Sequence, residues 1–306
     1  MKKINLLILG YSKFVQKRLL KSIKNSKKIQ YKICSKSKKG KGIYFSDYNK
    51  ALSSNADMVY ISLSNHLHFK YAKIALLKGM HVIVDKPITP RLKQTKELIK
   101  IAKRKNLLIS ESTLFNYHKV FDKINKLLGG KNKLKFIQSN FNIPQVKTLK
   151  QINLTRSDCF MDMSPYAASL VRLYLGSKID KLNFYKENFL NSKSIKSFYI
   201  FTTNNKTKYF GNFSIGNEYL SQIIFSSGQK IIYLNFQAFA LPSNKKIKII
   251  LKKDNKYKNI FINKDDSINN YFNKILLSIK NKKFSKFYNL ILDDAKMRNI
   301  MIKGKK

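Results

Sequence analysis

Four stretches of this 306-residue chain carry residues whose types and spacing could do chemistry. The first is Gly10-Tyr11-Ser12-Lys13-Phe14-Val15, which follows an apolar run. It stands where a phosphate-binding turn of the G-x-G-x-x-G kind would be, with Gly10, Ser12 and Val15 at the three glycine positions. Gly10 supplies the tight turn. The second position is bare in the motif so that backbone can approach a pyrophosphate, and serine is among the mildest intrusions there. At the third, valine pushes the helix slightly away from the strand. An ordinary strand-to-helix turn is the alternative. The second stretch, Ser35-Lys36-Ser37-Lys38-Lys39, offers hydroxyls and cations but no acid, which suits a ribose 2′-phosphate better than a free 2′-hydroxyl. The third combines Ser62–His68 with Asp85-Lys86-Pro87, each leaving an apolar run. The fourth is Asp162 and Tyr166, four residues apart and so able to share one helical face. Pro165 is tolerated in a first helical turn, which predicts a helix starting near Asp162 or Ser164 with Tyr166 close to its electropositive end.

His66, His68, His81 and His118 fall within a short span and raise the question of a metal. No acidic or cysteine ligand accompanies them at zinc-like spacing, and His81 sits inside an apolar run, so no metal is expected.

The elements that must hold these residues follow from periodicity. Met58–Ile61 reads as a buried strand, Phe69–Leu77 as a helix ended by Gly79, and His81–Val84 as a second strand. Strand, helix, strand over this length is a right-handed βαβ unit, so both strand ends lie on one edge of a parallel sheet, where ligands bind. Ile4–Leu9, Ile29–Cys34, Ile43–Phe45 and Leu107–Ile109 read as further strands. Phe14–Lys24, Tyr48–Asn55 and Leu92–Lys105 read as helices. The alternation predicts an α/β fold, with an N-terminal Rossmann-type doubly wound parallel sheet over 1–117. The pattern then changes. Helices are predicted at Lys119–Leu128, Pro165–Leu175, Ser267–Lys280 and Phe284–Met301. Strands are predicted at Leu134–Ile143, Leu182–Tyr185, Lys196–Thr202, Lys208–Ile215, Leu220–Ser226, Lys230–Ala238 and Lys246–Leu251. Residues 118–306 are therefore expected to form an α+β domain on a largely antiparallel sheet, flat enough to cover a site or to form the interface of a homo-oligomer.

Composition bounds the rest. The apolar fraction of 43% fits a soluble globular protein, and no apolar run reaches the ~18 residues that span a membrane. Met1-Lys2-Lys3 and the short run after it lack the length and cleavage site of a signal peptide. Cys34 and Cys159 both sit in or beside apolar runs, which points to two buried thiols in a reducing cytoplasm. The net charge of +46 raises nucleic acid as a partner. However, arginine takes only six positions, so 56 of the 62 cations are lysine, and they are spread through every segment. Readout of bases favours the arginine fork, and a genome-wide coding bias accounts better for the lysines.

Asn65 and His68, followed by Asp85-Lys86-Pro87, resemble the T-P-N-x-x-H and E-K-P segments of the Gfo/Idh/MocA oxidoreductases. Here Leu63 and Ser64 replace Thr-Pro, and Asp85 stands for Glu. Glu111 and Phe115–His118 look like that family's link into its second domain. Asp162 with Tyr166 resembles its D-x-x-x-H/Y, and Tyr209–Pro242 its sheet. The resemblance implies a nicotinamide cofactor, NADP or NAD, between a Rossmann domain and an α+β domain. Residues implied to bind the cofactor are Gly10, Ser12, Lys13, Phe14, Ser35, Lys36, Ser62, Asn65, His68, Asp85 and Lys86. Lys86 would sit beside the reacting carbon, its cation polarising a carbonyl or favouring an alkoxide. Tyr166 would be the proton donor or acceptor, its hydroxyl made more acidic by a nearby lysine cation, with Asp162 beside it. The implied reaction is hydride transfer to or from a hydroxyl or keto carbon of a sugar or nucleotide-linked sugar. Arg156-Ser157-Asp158 departs from the family's glycine-rich run. With the altered phosphate turn, this keeps open the alternative of a catalytically silent relative that acts as a ligand-binding or interaction protein.

Overall fold

The structure, a computed structural model, describes residues 3–36, 42–144 and 158–303, so Ser37, Lys38, Lys39, Arg156 and Ser157 of the segments above lie outside the described residues. The chain divides into two compact units, residues 1–112 with 268–295, and residues 113–267 with 296–306. In this division most of the two terminal helices fall in the first unit.

Six strands form the sheet of the first unit. They are β1 (Ile4–Leu9), β2 (Ile29–Cys34), β3 (Ile43–Phe45), β4 (Met58–Ile61), β5 (His81–Val84) and β6 (Ile109–Glu111). All pair in parallel, in the order β3-β2-β1-β4-β5-β6. A parallel sheet covered on both faces needs strands apolar on both sides, and residues 6–9 and 58–61 are all buried. A π-helical stretch, Val15–Leu19, runs into α1 (Leu20–Ile23), where a single α-helix was expected. Next come α2 (Tyr48–Ala51), α3 (Asn65–Leu77) and α4 (Leu92–Arg104).

Two of these elements correct the sequence reading. Helix α3 begins at Asn65, not Phe69, because Ser64 is extended and Leu67 N–H already bonds its carbonyl. Asn65 to His68 thus form the first helical turn instead of a loop. Strand β6 lies two residues later than expected, with Ile109–Glu111 paired to Val82–Val84. Glu111 therefore belongs to the strand.

The terminal helices are α7 (Ser267–Lys280) and α8 (Ser285–Lys303). Within the first unit, Tyr271 donates to Ser110 Oγ at 2.7 Å and Tyr288 to the Leu107 carbonyl at 2.5 Å. Phe272 stacks on Tyr60 with centroids 6.4 Å apart. An amphipathic helix announces that it buries a face but not which sheet it covers, so periodicity could not assign these two.

In the second unit, helices α5 (Val120–Leu128) and α6 (Cys159–Tyr174) accompany an eight-stranded sheet. Its strands are β7 (Phe136–Ile143), β8 (Lys181–Asn188), β9 (Ile195–Thr203), β10 (Lys208–Ile215), β11 (Leu220–Ser226), β12 (Lys230–Leu234), β13 (Ile247–Lys253) and β14 (Lys256–Ile262). The order is β14-β13-β12-β11-β7-β10-β9-β8, antiparallel except where β7 meets β10. Strand β12 stops at Leu234 and not Ala238, because Phe236 and Gln237 take left-handed φ values of 65° and 58° that no strand accommodates. Strand β14, absent from the sequence reading, returns from β13 through Asp254-Asn255, whose φ values of 50° and 57° mark a tight hairpin of the type I′ kind. One face of the sheet supplies Phe198, Tyr209, Phe213, Ile223 and Phe225 to a core shared with Phe160, Met163, Ala167 and Val171 of α6.

Candidate active site

In the order β3-β2-β1-β4-β5-β6 the direction of winding reverses between β1 and β4, and the crevice at the carboxyl ends of those two strands is where such sheets bind ligands. Gly10 leaves β1 there with φ +98°, and a Cβ on it would lie 2.1 Å from the Ser62 carbonyl oxygen at the end of β4. Only glycine fits so close an approach. Ser12, at the motif's second glycine position, is tied inward. Its Oγ lies 2.9 Å from Ser62 Oγ and accepts the Val15 N–H at 3.2 Å.

Ser62 leads on to Asp85. The Ser62 hydroxyl donates to Asp85 Oδ2, while Tyr60 and Ser112 reach Oδ1 at 2.5 and 3.0 Å. Burial and then the Asp85 charge raise the Tyr60 pKa well above its ordinary value, so the phenol stays neutral and remains a donor. Tyr60 and Ser112 escaped the sequence reading. The one available signal was a polar-tipped ring in an otherwise aliphatic buried strand, which needs a partner for its hydroxyl.

Lys86 follows Asp85 on a turn held at both ends. Asp85 N–H bonds the Ile61 carbonyl at 2.9 Å, and the Lys86–Pro87 peptide is cis. Beyond Lys86, the Pro87 carbonyl lies 2.8 Å from His68 Nδ1, and Ile88 N–H donates to Glu111 Oε2 at 2.6 Å. The other ring nitrogen of His68 lies 3.0 Å from the Leu63 carbonyl. Fully buried, His68 joins the segment after β4 to the turn after β5, so its part in the site is to hold backbone. Asn65 is half-buried at the start of α3, Lys13 is exposed and Phe14 is half-buried.

Ser35 is buried at the end of β2, where its N–H bonds the Phe45 carbonyl at 3.0 Å. Lys36 Nζ lies 3.7 Å from Asp47 and 5.1 Å from the Tyr48 ring centroid. An acid therefore does stand beside the cation, although the run after β2 has none. Asp47 caps α2 by accepting the Asn49 and Lys50 N–H groups, and the Lys50 N–H is the main cause of its lowered pKa, with Lys36 adding to it.

In the second unit, α6 starts at Cys159, earlier than predicted. Asp158 is its cap, one carboxylate oxygen accepting the Met161 N–H at 2.8 Å and the other the Ile195 N–H at 3.3 Å. Pro165 consequently lies inside the helix, and Tyr166 is two turns from the N-terminus. The Tyr166 ring sits among Phe115, Phe141 and Phe239, with centroids at 5.7, 5.4 and 5.0 Å. Asp162 lies one turn before it. Ser169, one turn after, receives the Asn116 amide and the Arg172 guanidinium, the latter at 2.9 Å.

Three of the four histidines that drew attention as possible ligands have hydrogen-bond partners within the protein. Besides His68, His81 Nδ1 accepts the Leu108 N–H at 2.9 Å and His118 Nδ1 accepts the Val120 N–H at 3.1 Å. Both cysteines are buried and free. Among the described residues no helix is long and apolar enough to cross a membrane.

The crevice suits a dinucleotide. It has a glycine-closed turn at the switch point, an inward-tied serine at the phosphate position, and hydroxyl and cationic side chains at the end of β2. Comparison with known proteins agrees. The chain is 30% identical over 131 residues to a dTDP-3,4-didehydro-2,6-dideoxy-alpha-D-glucose 3-reductase of Streptomyces violaceoruber, spanning 41% of this chain and 38% of that protein. It is 25% identical over 138 residues to a D-xylose 1-dehydrogenase (NADP(+)) of Haloferax volcanii, spanning 44% and 42%. These matches therefore cover less than half of the relatives' lengths. Among solved structures, the fold matches KijD10, a 3-ketoreductase from Actinomadura kijaniata solved with TDP-benzene and NADP. The TM-score is 0.89 at 16% identity, with 99% of this chain and 98% of that one covered. UDP-N-acetylglucosamine 3-dehydrogenase GnnA from Acidithiobacillus ferrooxidans shares the fold at a TM-score of 0.76 and 14% identity, over 98% of each chain. Residues 4–113 match the model of the GFO_IDH_MocA oxidoreductase family, described as an NAD-binding Rossmann fold.

Proposed function

We propose that the chain is an NAD(P)-dependent oxidoreductase acting on a hydroxyl or keto carbon of a sugar or nucleotide-linked sugar, with NADP the favoured cofactor. The observation that carries this reading is the Lys86 turn, held at both ends at the carboxyl edge of a Rossmann sheet. When bound, the nicotinamide supplies or accepts the hydride. The backbone of Gly10, Ser12, Lys13 and Phe14 would hold its pyrophosphate, Ser35 and Lys36 the ribose 2′ end, and Asn65, Asp85 and Lys86 the nicotinamide side. The Lys86 ammonium favours negative charge on the substrate oxygen. The Tyr166 phenol, whose ring sits among three aromatic neighbours with Asp162 a turn away, is the residue assigned to give or take the proton. The names of the relatives make nucleotide-linked keto sugars the first substrates to try.

Fluorescence titration with NADPH and NADH, followed by turnover assays on dTDP- and UDP-linked keto sugars, tests the reading, and a chain that binds neither nucleotide refutes it. Lys86→Ala is expected to abolish turnover while leaving the fold intact. A second reading, a catalytically silent relative that binds ligand, is favoured by Ser12 and Val15 at glycine positions; nucleotide binding without turnover across that panel would support it.

The sheet of the second unit supports association of two copies. On the face opposite its core, Phe201, Phe210, Ile224, Tyr233 and Ile250 fall in one register-matched band, bridged by Gln138. Phe210→Lys is then expected to yield monomers in sedimentation equilibrium. The buried free thiols are consistent with a cytoplasmic setting, and the scattered lysines with a small-molecule partner in preference to nucleic acid.

A further inference from the structure

The hydroxyls around Asp85 form a chain whose direction can be worked out proton by proton. Asp85 can only accept when ionised, and the Ser62 hydroxyl donates to its Oδ2. Ser62 has one proton, so in the 2.9 Å contact between Ser12 and Ser62 the donor must be Ser12. Ser12 Oγ in turn accepts the Val15 N–H at 3.2 Å. The side chain at the motif's second glycine position therefore has its proton committed to Ser62 and a lone pair committed to backbone. Both partners lie within the protein, and the side chain is drawn toward β4.

We propose that Ser62 is a positioning residue for the dinucleotide, acting through Ser12: its hydroxyl holds the Ser12 side chain toward β4, clear of the space a pyrophosphate needs, so that the turn works with serine where its motif has glycine. The inference rests on the dinucleotide-binding reading above and adds how this chain meets the backbone-approach requirement without the second glycine. Asp85 is the anchor, since its carboxylate consumes the Ser62 proton and leaves Ser62 able only to accept from Ser12.

The test is equilibrium titration of the intact chain with NADPH, with thermal melting of each nucleotide-free variant alongside. Ser62→Ala releases the Ser12 hydroxyl and is expected to weaken NADPH binding about three- to tenfold, the worth of one net hydrogen bond. Adding Ser12→Gly removes the released side chain and is expected to bring the affinity back to within about twofold of the wild type. Ser62→Thr keeps the hydroxyl and is expected to bind like the wild type. If Ser62→Ala does not fold, Ser62→Thr and Ser62→Val provide the same contrast. Unchanged affinity in Ser62→Ala overturns the proposal. So does a double variant as weak as Ser62→Ala, because a residue that merely supports the Asp85 turn would not be rescued at Ser12. A wild-type chain that binds neither NADPH nor NADH overturns the dinucleotide reading itself, whereas failed rescue in a binding-competent chain overturns the role of Ser62 alone.

Discussion

The imidazole of His68 stands between the carbonyl of Pro87, 2.8 Å from Nδ1, and that of Leu63, 3.0 Å from Nε2. One buried side chain thus joins the segments leaving two neighbouring strands, and the second of those segments carries Lys86. Replacing it with alanine removes the ring that sits between the two carbonyls, leaves the one it donates to without its partner, and opens a void. The expected cost is about 2–4 kcal/mol, a fall of several degrees in melting temperature. Differential scanning calorimetry of His68→Ala checks this; an unchanged melting temperature would mean that the ring holds nothing.

Glu111 holds the far side of the same turn through the Ile88 N–H. Glutamine keeps an acceptor there and alanine does not. Glu111→Gln is therefore expected to keep most of the wild-type turnover, with Glu111→Ala at least about tenfold slower as the Lys86 turn slackens. Equal losses in the two variants would contradict this.

Tyr166→Phe removes the proposed proton carrier but keeps the ring among its three aromatic neighbours. Turnover is expected to fall about 10²–10⁴-fold with NADPH affinity unchanged, as general acid–base catalysis predicts. Steady-state kinetics and fluorescence titration together decide it.

Asp47 and Lys36 bear on cofactor choice. With Asp47 3.7 Å from the ammonium, part of the lysine charge is already answered. Asp47→Asn frees it for a 2′-phosphate and is expected to raise the preference for NADPH over NADH about two- to fivefold, the modest effect of a half-exposed pair. Parallel titrations with the two nucleotides test it, and a shift toward NADH would reverse the assignment.

The dependence of stability on pH has two limbs. Burial lowers the pKa of His81 and His118 from 6.5. The unfolded chain then binds more protons, so the stability these groups contribute is present above pH 6.5 and is lost as pH falls through their folded values. On the alkaline side, burial pushes the Cys34 thiol from 9.0 up to about 11 and the Tyr288 phenol from 10.0 up to about 12. Their contribution is present below about pH 9 and is lost as pH rises toward those values. Melting temperatures between pH 5 and 11 should show both declines, and Cys34→Ala should flatten the start of the alkaline one.

Much of this was legible in the sequence because it depends on local pattern. The alternation of apolar runs and helical faces gave β1, β2, β4 and β5 with their bounds, and the strand ends then fell together by topology. Tyr60, Ser112 and Asp47 were not legible as parts of the site, since each acts through a partner 11 to 52 residues away in the chain. The start of α6 was not legible from Pro165, because the helix is capped seven residues before that proline by Asp158, whose carboxylate accepts the Met161 N–H. The allocation of α7 and α8 rests on Tyr271, Phe272 and Tyr288, residues that any apolar helix face could carry.

That allocation has a consequence for how the chain comes into being. The Rossmann-type sheet is written in the first 112 residues, yet its unit includes residues 268–295, among them the phenols that reach Ser110 and Leu107. On the ribosome, the first part of the sequence to emerge thus has to wait for residues 268–295 before its unit is complete. Until α7 and α8 arrive, Tyr60 lacks the ring that stacks on it and an apolar surface stays open to solvent. A chain stopped after β14 would carry every proposed cofactor residue and still lack part of the unit that holds them.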